Sequence, residues 1–460
     1  MTASEAAGAD VSRTFEHALS RIDQDVARVS TDLQEAHHYI YSRFVQRPEA
    51  SGWPQFLDES GPPTATGTAC VASSLIRMGV KRQDVHLIEA TDLLCSEQCA
   101  DGGWSKPGFA DHLSLTLVTC LSLHALAALG LFSGHPVVDE GLTWLRRAQN
   151  DDGGWGCLAC DDLSDVTATA YALRALDMSH ASAYPLRQVR ERGADWLVRQ
   201  QNDDGGWGIR HGERSTAAHT AHAVEGMQAA HMPWACAGAL DDAREWLLTT
   251  LPQAPLVPWI EHYQLPASIA AGLPRRLHSA RLRWTHLPAE RSLIALLGLG
   301  VDVHHPTVRR LVDDLAQRHE KELCWQVPGV PAVSASWAVL EAVNALSRYL
   351  EAVEATRWRT VCQVLTANVI PRIAELENAQ DELRLRTEIL TTPPADEGRP
   401  GWATLLSPRV LAMELIAVAL GSGLVTALVA ASGIDTEALL IAWGAWVVAI
   451  PLLVLATRRG

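Results

Sequence analysis

Two kinds of helical pattern alternate along the chain. One is amphipathic, as in HPVVDEGLTWLRRAQ (135–149) and YPLRQVRERGADWLVRQQ (184–201). The other is small and apolar almost all round: SLTLVTCLSLHALAALG (114–130), DVTATAYALRAL (165–176) and STAAHTAHAVEGM (215–227). A helix that is apolar on every side belongs inside, and a two-sided one belongs at a surface. The Ala, Ser and Thr of the second kind let neighbouring helices approach closely. The alternation therefore predicts an all-α fold in which amphipathic helices form an outer ring and apolar helices an inner ring.

A short motif punctuates each pair. Gln98–Trp104 reads QCADGGW, and Gln149–Trp155 and Gln201–Trp207 both read QNDDGGW. The three tryptophans are 51 and 52 residues apart. The register extends back to Trp53 in QRPEASGW and forward to Trp259 in QAPLVPW, with a weaker copy at Gln317…Trp325. Repetition at a fixed period is the signature of a repeat architecture. Each motif follows an amphipathic helix. Its Gly-Gly supplies the positive-φ positions that end that helix and reverse the chain. Its Asp is placed to accept hydrogen bonds from free backbone amides in the turn. Its Trp offers a large flat surface to a neighbouring hairpin.

The spacing and letters of these motifs resemble the QW-type repeats of the squalene and terpene cyclase superfamily, which includes prenyltransferase β-subunits. The likeness covers roughly residues 40–350. It implies an (α/α) barrel, or toroid, of about six helical hairpins around a central cavity, in a single-barrel member. The expected domains are the toroid (1–350), a helical connector with a Pro/Gly-rich linker (351–402) and a two-helix transmembrane hairpin (403–460).

The resemblance also focuses attention on one loop. Class II cyclases protonate an alkene with the middle Asp of Asp-x-Asp-Asp-Thr-Ala, and protonating carbon needs a sheltered, unusually strong acid. The comparable stretch here is Asp165-Val-Thr167-Ala168-Thr169-Ala170, with Thr167 where the acid would stand. Asp161, Asp162 and Asp165 also spell Asp-Asp-x-x-Asp, a pattern that class I enzymes use to hold Mg²⁺ against diphosphate. Their structural alternative is N-terminal capping of the following helix by Asp162, Ser164 or Asp165. These three aspartates are the candidate catalytic residues, with Mg²⁺ as the cofactor of an enzymatic reading. The candidate ligand-binding positions near the expected cavity are His112, Thr167, Tyr171, His211, Glu213, His219 and His222. Cys157 and Cys160 have zinc-compatible spacing, and His219 with His222 lies on one helical face. Buried free thiols and hydrogen-bonded core histidines are the commoner explanation, so no metal is assigned.

Composition adds boundaries. A net charge of −15 argues against a nucleic-acid partner, since phosphate neutralisation needs a basic surface. The first residues, MTASEAAGADVSRTFEH, have neither the basic nor the apolar region of a signal peptide, and nine scattered Cys fit free thiols in a reducing cytoplasm. Val410–Ala431 carries only Glu414 as a charge, and Ala438–Thr457 carries none. Runs of that length predict a pair of membrane spans, with Arg409, Arg458 and Arg459 placing both termini and the toroid on the cytoplasmic side. Val369, Ile373, Leu376 and Leu383 form an apolar stripe in the connector, which makes a homo-oligomer a candidate partner state. The resulting expectation is a membrane-anchored toroid that binds an apolar, isoprenoid-like ligand or a protein partner without proton-initiated cyclisation. The alternative is an active isoprenoid-processing enzyme using Asp161, Asp162 and Asp165.

Overall fold

In the computed structural model, thirteen helices are defined among the described residues. These residues are 23–24, 26–59, 61–106, 113–158, 163–179, 184–264, 281–322, 325–327, 334–364 and 370–391. The chain divides into two compact units, Met1–Val369 and Ile370–Gly460. In the first unit a helix over 26–41 (α1) and a minimal ladder of β1 (Val45–Gln46) and β2 (Ser51–Gly52) precede the repeats. Helices then alternate. The inner set is α2 (Ala65–Arg77), α4 (Thr116–Leu129), α6 (Val166–Met178), α8 (Ala217–Ala229), α10 (Pro288–Gly298) and α12 (Ser336–Val364). The outer set is α3 (Val85–Ser96), α5 (Pro136–Arg147), α7 (Tyr184–Arg199), α9 (Pro233–Thr250) and α11 (Pro306–Glu322).

The inner helices pack in sequence, and α12 returns against α2, so the ring closes on itself. Each of α2, α4, α6, α8 and α10 also packs against the outer helix that follows it. The predicted toroid of six inner helices is therefore present. Its walls are close because their residues are small. A Cβ added to Gly226 on α8 would meet Ala170 Cα of α6 at 2.9 Å.

The motif turns explain how each outer helix hands the chain to the next inner one. Gly102, Gly153 and Gly205 have φ of 94°, 99° and 84°, a region where a side chain is strained. Asp152 Oδ1 accepts from Gly154 N (2.9 Å) and Ser164 Oγ (2.8 Å), and its Oδ2 accepts from Trp196 Nε1 (2.8 Å). Asp101 and Asp204 repeat this set with Trp144 and Trp246. Gln149 Nε2 donates to Gly153 O and to Val189 O on α7, tying the turn to the next outer helix. Gln98 and Gln201 do the same in their repeats.

The motif tryptophans are the largest buried side chains. Trp53, Trp104, Trp155, Trp207 and Trp325 are fully buried, and each indole N–H donates to a backbone carbonyl, for Trp155 that of Leu145 at 2.8 Å. An aromatic side chain of this kind buries about 150–250 Å². At about 25 cal/mol per Å² that is a gross contribution of roughly 4–6 kcal/mol per repeat. Trp325 repeats the burial and the indole hydrogen bond, 66 residues after Trp259 and so outside the 51–52-residue register.

Trp259 begins β3 (Trp259–Gln264), which pairs antiparallel with β4 (Arg281–His286), from Trp259 opposite His286 to Gln264 opposite Arg281. This corrects the all-helical expectation at that repeat. Pro252, Pro255 and Pro258 interrupt any helix there. RLRWTH alternates large and polar side chains with the period of a strand.

The second unit contributes α13 (Ile370–Thr391). Ile373, Leu376, Leu383 and Leu385 are exposed on it. Among the described residues no helix is long and apolar enough to cross a membrane. That overturns the expected two-span membrane localisation. The runs 410–431 and 438–457, on which that expectation rested, lie outside the described residues.

Candidate functional site

The loop before α6 reaches the ring at Asp165. Its carboxylate Oδ1 accepts from Ala168 N at 2.7 Å, so Asp165 is the N-cap of α6. Thr64 and Thr216 hold the same place on α2 and α8, each accepting an amide three residues on. Thr167 is fully buried, and its hydroxyl oxygen has no hydrogen-bond partner among the described residues. Asp161, Asp162, Cys160 and His112 lie outside the described residues. His211 and Glu213 are exposed in the turn after Trp207, where His211 N donates to Gln200 Oε1 and Asn202 Nδ2 donates to Glu213 O. They brace that turn and do not line the interior.

The β3–β4 ribbon turns one face to the inner helices, with Glu261, Trp284 and His286 buried while Ile260, His262 and Arg283 are exposed. Trp284 approaches Tyr171 of α6 edge-on, with ring centroids 5.8 Å apart. Beside Trp284 lies a small cavity of about 10 Å³, lined by Lys106, Leu115, Leu117, Val118, Cys157, Arg283 and Trp284 itself. Lys106 Nζ sits 5.9 Å from the Trp284 ring, and burial lowers its pKa below the usual lysine value. Cys157, singled out for its spacing, faces this space.

A second group joins the ribbon to α8. Glu261 of β3 and His286 of β4 meet His219 and His222, which project from one face of α8. All four are buried. His219 Nε2 contacts Glu261 Oε1, and His286 Nε2 lies 3.1 Å from Glu261 Oε2. His219 Nδ1 pairs with Thr216 Oγ1 at 2.8 Å, and His286 Nδ1 with His222 Nε2 at 3.1 Å. Burial pushes the pKa of His222 well below the ordinary histidine value, aided by the nearby Arg291 charge. Burial also lowers that of His286, against the pull of Glu261. For Glu261 burial acts to raise the pKa, but His286 and His219 outweigh it and hold the carboxyl well below its usual range.

Deeper in the ring, Arg291 of α10 is the hub of a polar core. Its Nη1 donates to Glu225 of α8 at 3.1 and 3.2 Å, and its Nη2 donates to Tyr171 Oη and to Glu341 Oε1 of α12, both at 2.7 Å. Arg174 of α6 adds an ion pair to Glu225 at 3.3 Å. Burial opposes the Arg291 charge, but Glu225 and Glu341 outweigh it and raise its pKa well above the ordinary value. Four inner helices are thereby cross-linked through one guanidinium. Such a core can fix the relative positions of the helices, and within it burial raises the pKa of Glu341 against the pull of Arg291.

Tyr171, His219 and His222 are buried and join these two groups, while Glu261, His286, Arg291, Glu225 and Glu341 were missed. A charge in the middle of an apolar helix was the available signal for Arg291, Glu225 and Glu341. Glu261 and His286 sit where the repeat breaks, and only the strand-like alternation marks them. Among the described residues, His219, Glu261 and His286 are the group whose ligand atoms converge closely enough, within 4.8 Å of one another, to hold a metal ion.

Comparison with known proteins gives the same direction as the repeats. Residues 57–170 match the model of the squalene-hopene cyclase C-terminal domain. The squalene–hopene cyclase of Zymomonas mobilis is 31% identical over 157 residues, which are 32% of this chain and 23% of that enzyme. The drimenyl diphosphate synthase of Streptomyces showdoensis is 30% identical over 185 residues, 40% of this chain and 33% of that enzyme. The chain spans about a quarter of the length of the squalene–hopene cyclases it matches. The solved type II terpene cyclase MstE from Scytonema aligns with 72% of this chain and 99% of its own at 14% identity, with a TM-score of 0.47. The family match and the relatives support a terpene cyclase-like superfamily assignment.

Proposed function

We propose that this chain is a terpene cyclase-like toroid that acts as a binding module and does not carry out proton-initiated cyclisation. The observation that carries this reading is the buried face of the ribbon, packed through its side chains against α6 and α8. Glu261, Trp284 and His286 are buried against the inner helices, and the cavity beside Trp284 holds about 10 Å³. That is room for about one water molecule, against roughly 300–1,000 Å³ for a ligand pocket. Thr167 supports the same reading, because a hydroxyl is far too weak an acid to protonate an alkene. A cavity of that size admits an isoprenoid-like ligand only if the side chains around Trp284 move aside. A protein partner on the outer surface needs no such movement and is the occupant this reading favours.

The drimenyl diphosphate synthases among the relatives favour a second reading, an isoprenoid-processing enzyme using Asp161, Asp162 and Asp165. Lys106 and Arg283 beside the small cavity are cations suited to a diphosphate. One experiment separates the two. The full chain is incubated with squalene and with farnesyl and geranylgeranyl diphosphates in the presence of Mg²⁺, and the products are read by mass spectrometry. The binding reading expects unchanged substrates. A cyclised product that disappears in Asp165→Asn, a change that keeps a competent helix cap, overturns it.

A further inference from the structure

We propose that His219, Glu261 and His286 form a binding site for a divalent transition-metal ion of the zinc type, which staples the β3–β4 ribbon to inner helix α8. The inference goes beyond the binding-module reading and stands whether or not the chain is an enzyme.

The three residues come from distant parts of the chain and converge in the interior. Their ligand atoms lie within 4.8 Å of one another, and no residue of the three is more than 5% exposed. Zinc takes imidazole nitrogen and carboxylate oxygen at about 2.0–2.2 Å. Tetrahedral ligands at that radius are about 3.3 Å apart, close to the 3.1 Å between His286 Nε2 and Glu261 Oε2. Two imidazoles with one carboxylate suit a borderline ion, whereas Mg²⁺ and Ca²⁺ prefer oxygen alone.

The outer contacts are those a metal-binding histidine needs. Each ligand histidine presents Nε2 to the centre and is held through Nδ1. For His219 the partner is Thr216 Oγ1, and for His286 it is His222 Nε2. Such partners fix the ring orientation and the tautomer that leaves a lone pair on the inner nitrogen.

An independent observation points to a ligand. His286 Nε2 is buried, aims at the centre and lies 3.1 Å from Glu261 Oε2 as an ion pair, in a geometry poorly aligned for a hydrogen bond. A buried ring nitrogen whose contact is poorly aligned is costly. A cation between it and the carboxylate would satisfy both, which a proton relay with this geometry does not.

The test uses the full chain, purified without chelators and without a metal-affinity step. Metal content by mass spectrometry is expected near one equivalent, as for a structural zinc site. Glu261→Gln and His286→Gln are each expected to lower it by about tenfold or more, while His211→Gln, on the exposed turn, leaves it unchanged. Thr216→Ala is expected to weaken affinity by about 10–100-fold through loss of ring support. Stripped protein titrated with Co²⁺ is expected to develop the saturable visible absorption of a low-coordinate histidine-bound ion. Circular dichroism checks that each variant is folded. If a variant unfolds, the Co²⁺ titration of the unaltered chain decides alone. Metal below about a tenth of an equivalent with no saturable Co²⁺ binding overturns the site. So does full metal content in folded His286→Gln.

Discussion

The segments ending at Trp155 and at Trp259 stand at the same phase of the repeat and take opposite forms. At Trp155 the chain makes a tight turn in which Asp152 gathers an amide, a hydroxyl and an indole N–H, and the tryptophan is fully buried between helices. At Trp259 the chain runs straight into a strand that pairs antiparallel with β4. The period is shared; the letters before the tryptophan are not. QNDDGGW carries the Asp that binds the turn and the Gly that permits it, whereas QAPLVPW has neither and adds two prolines. The difference teaches a division of labour. Repeats that keep the motif build the wall of the ring, and the stretch that loses it supplies the contents.

The contents depend on charge more than the wall does, and the largest predicted effect tests that. Arg291→Ala leaves Glu225 and Glu341 buried without their main counter-charge. Removing one member of a buried ionic group costs about 3–5 kcal/mol, chiefly because the remaining charges stay unpaired. Chemical denaturation is expected to show a loss of that size. Replacing Arg291, Glu225 and Glu341 together with Met and Gln is expected to recover much of it. A loss below about 1 kcal/mol in Arg291→Ala, the size of an ordinary surface pair, would mean that the ring is held by its wall alone.

The wall has its own test, of intermediate size. A Cβ at Gly154 would lie 2.5 Å from Ser164 Cβ and 2.8 Å from the Trp196 ring. Gly154→Ala is therefore expected to cost about 1–3 kcal/mol through overpacking. Gly238, on outer helix α9, meets nothing within 4 Å. There the same substitution is expected to stabilise by about 0.4–1 kcal/mol, because it restricts the unfolded chain. Thermal unfolding of the two variants side by side reads the contrast. Equal effects would show that the motif glycine is not a packing position.

The wall was legible because it is periodic. Trp104, Trp155 and Trp207 announced the turns, and the apolar sequences of α4, α6 and α8 announced the inner ring. What could not be read was which partner each interior group would find. His219 and His222 were visible on one face of α8, but Glu261 and His286 come from a segment whose only local signal is a change of period and a cluster of prolines. Arg291 follows Glu290 in PAERSLIALLG, and nothing in that helix names Glu225 or Glu341, which arrive from helices on either side. The interior is a product of ring closure, a non-local event. Asp161 and Asp162, prominent in the sequence, lie outside the described residues and leave Asp165 as the part of that cluster whose role the structure defines.

Asp165 is also where the smallest predicted effect is the most discriminating. It sits at the junction of wall and contents: the resemblance to cyclases makes it a remnant of an acid site, whereas its place in the repeat makes it a helix cap. The cap position on α2 and α8 is filled by Thr64 and Thr216, whose hydroxyls accept the equivalent amide. If capping is the whole role, Asp165→Thr should preserve stability to within about 0.5 kcal/mol, whereas Asp165→Ala should cost about 0.5–2 kcal/mol. Both are read by denaturant unfolding at neutral pH. A carboxylate needed for its charge behaves differently, since Thr then destabilises as much as Ala. That outcome would return Asp165 to the contents of the ring, as an anion the interior requires.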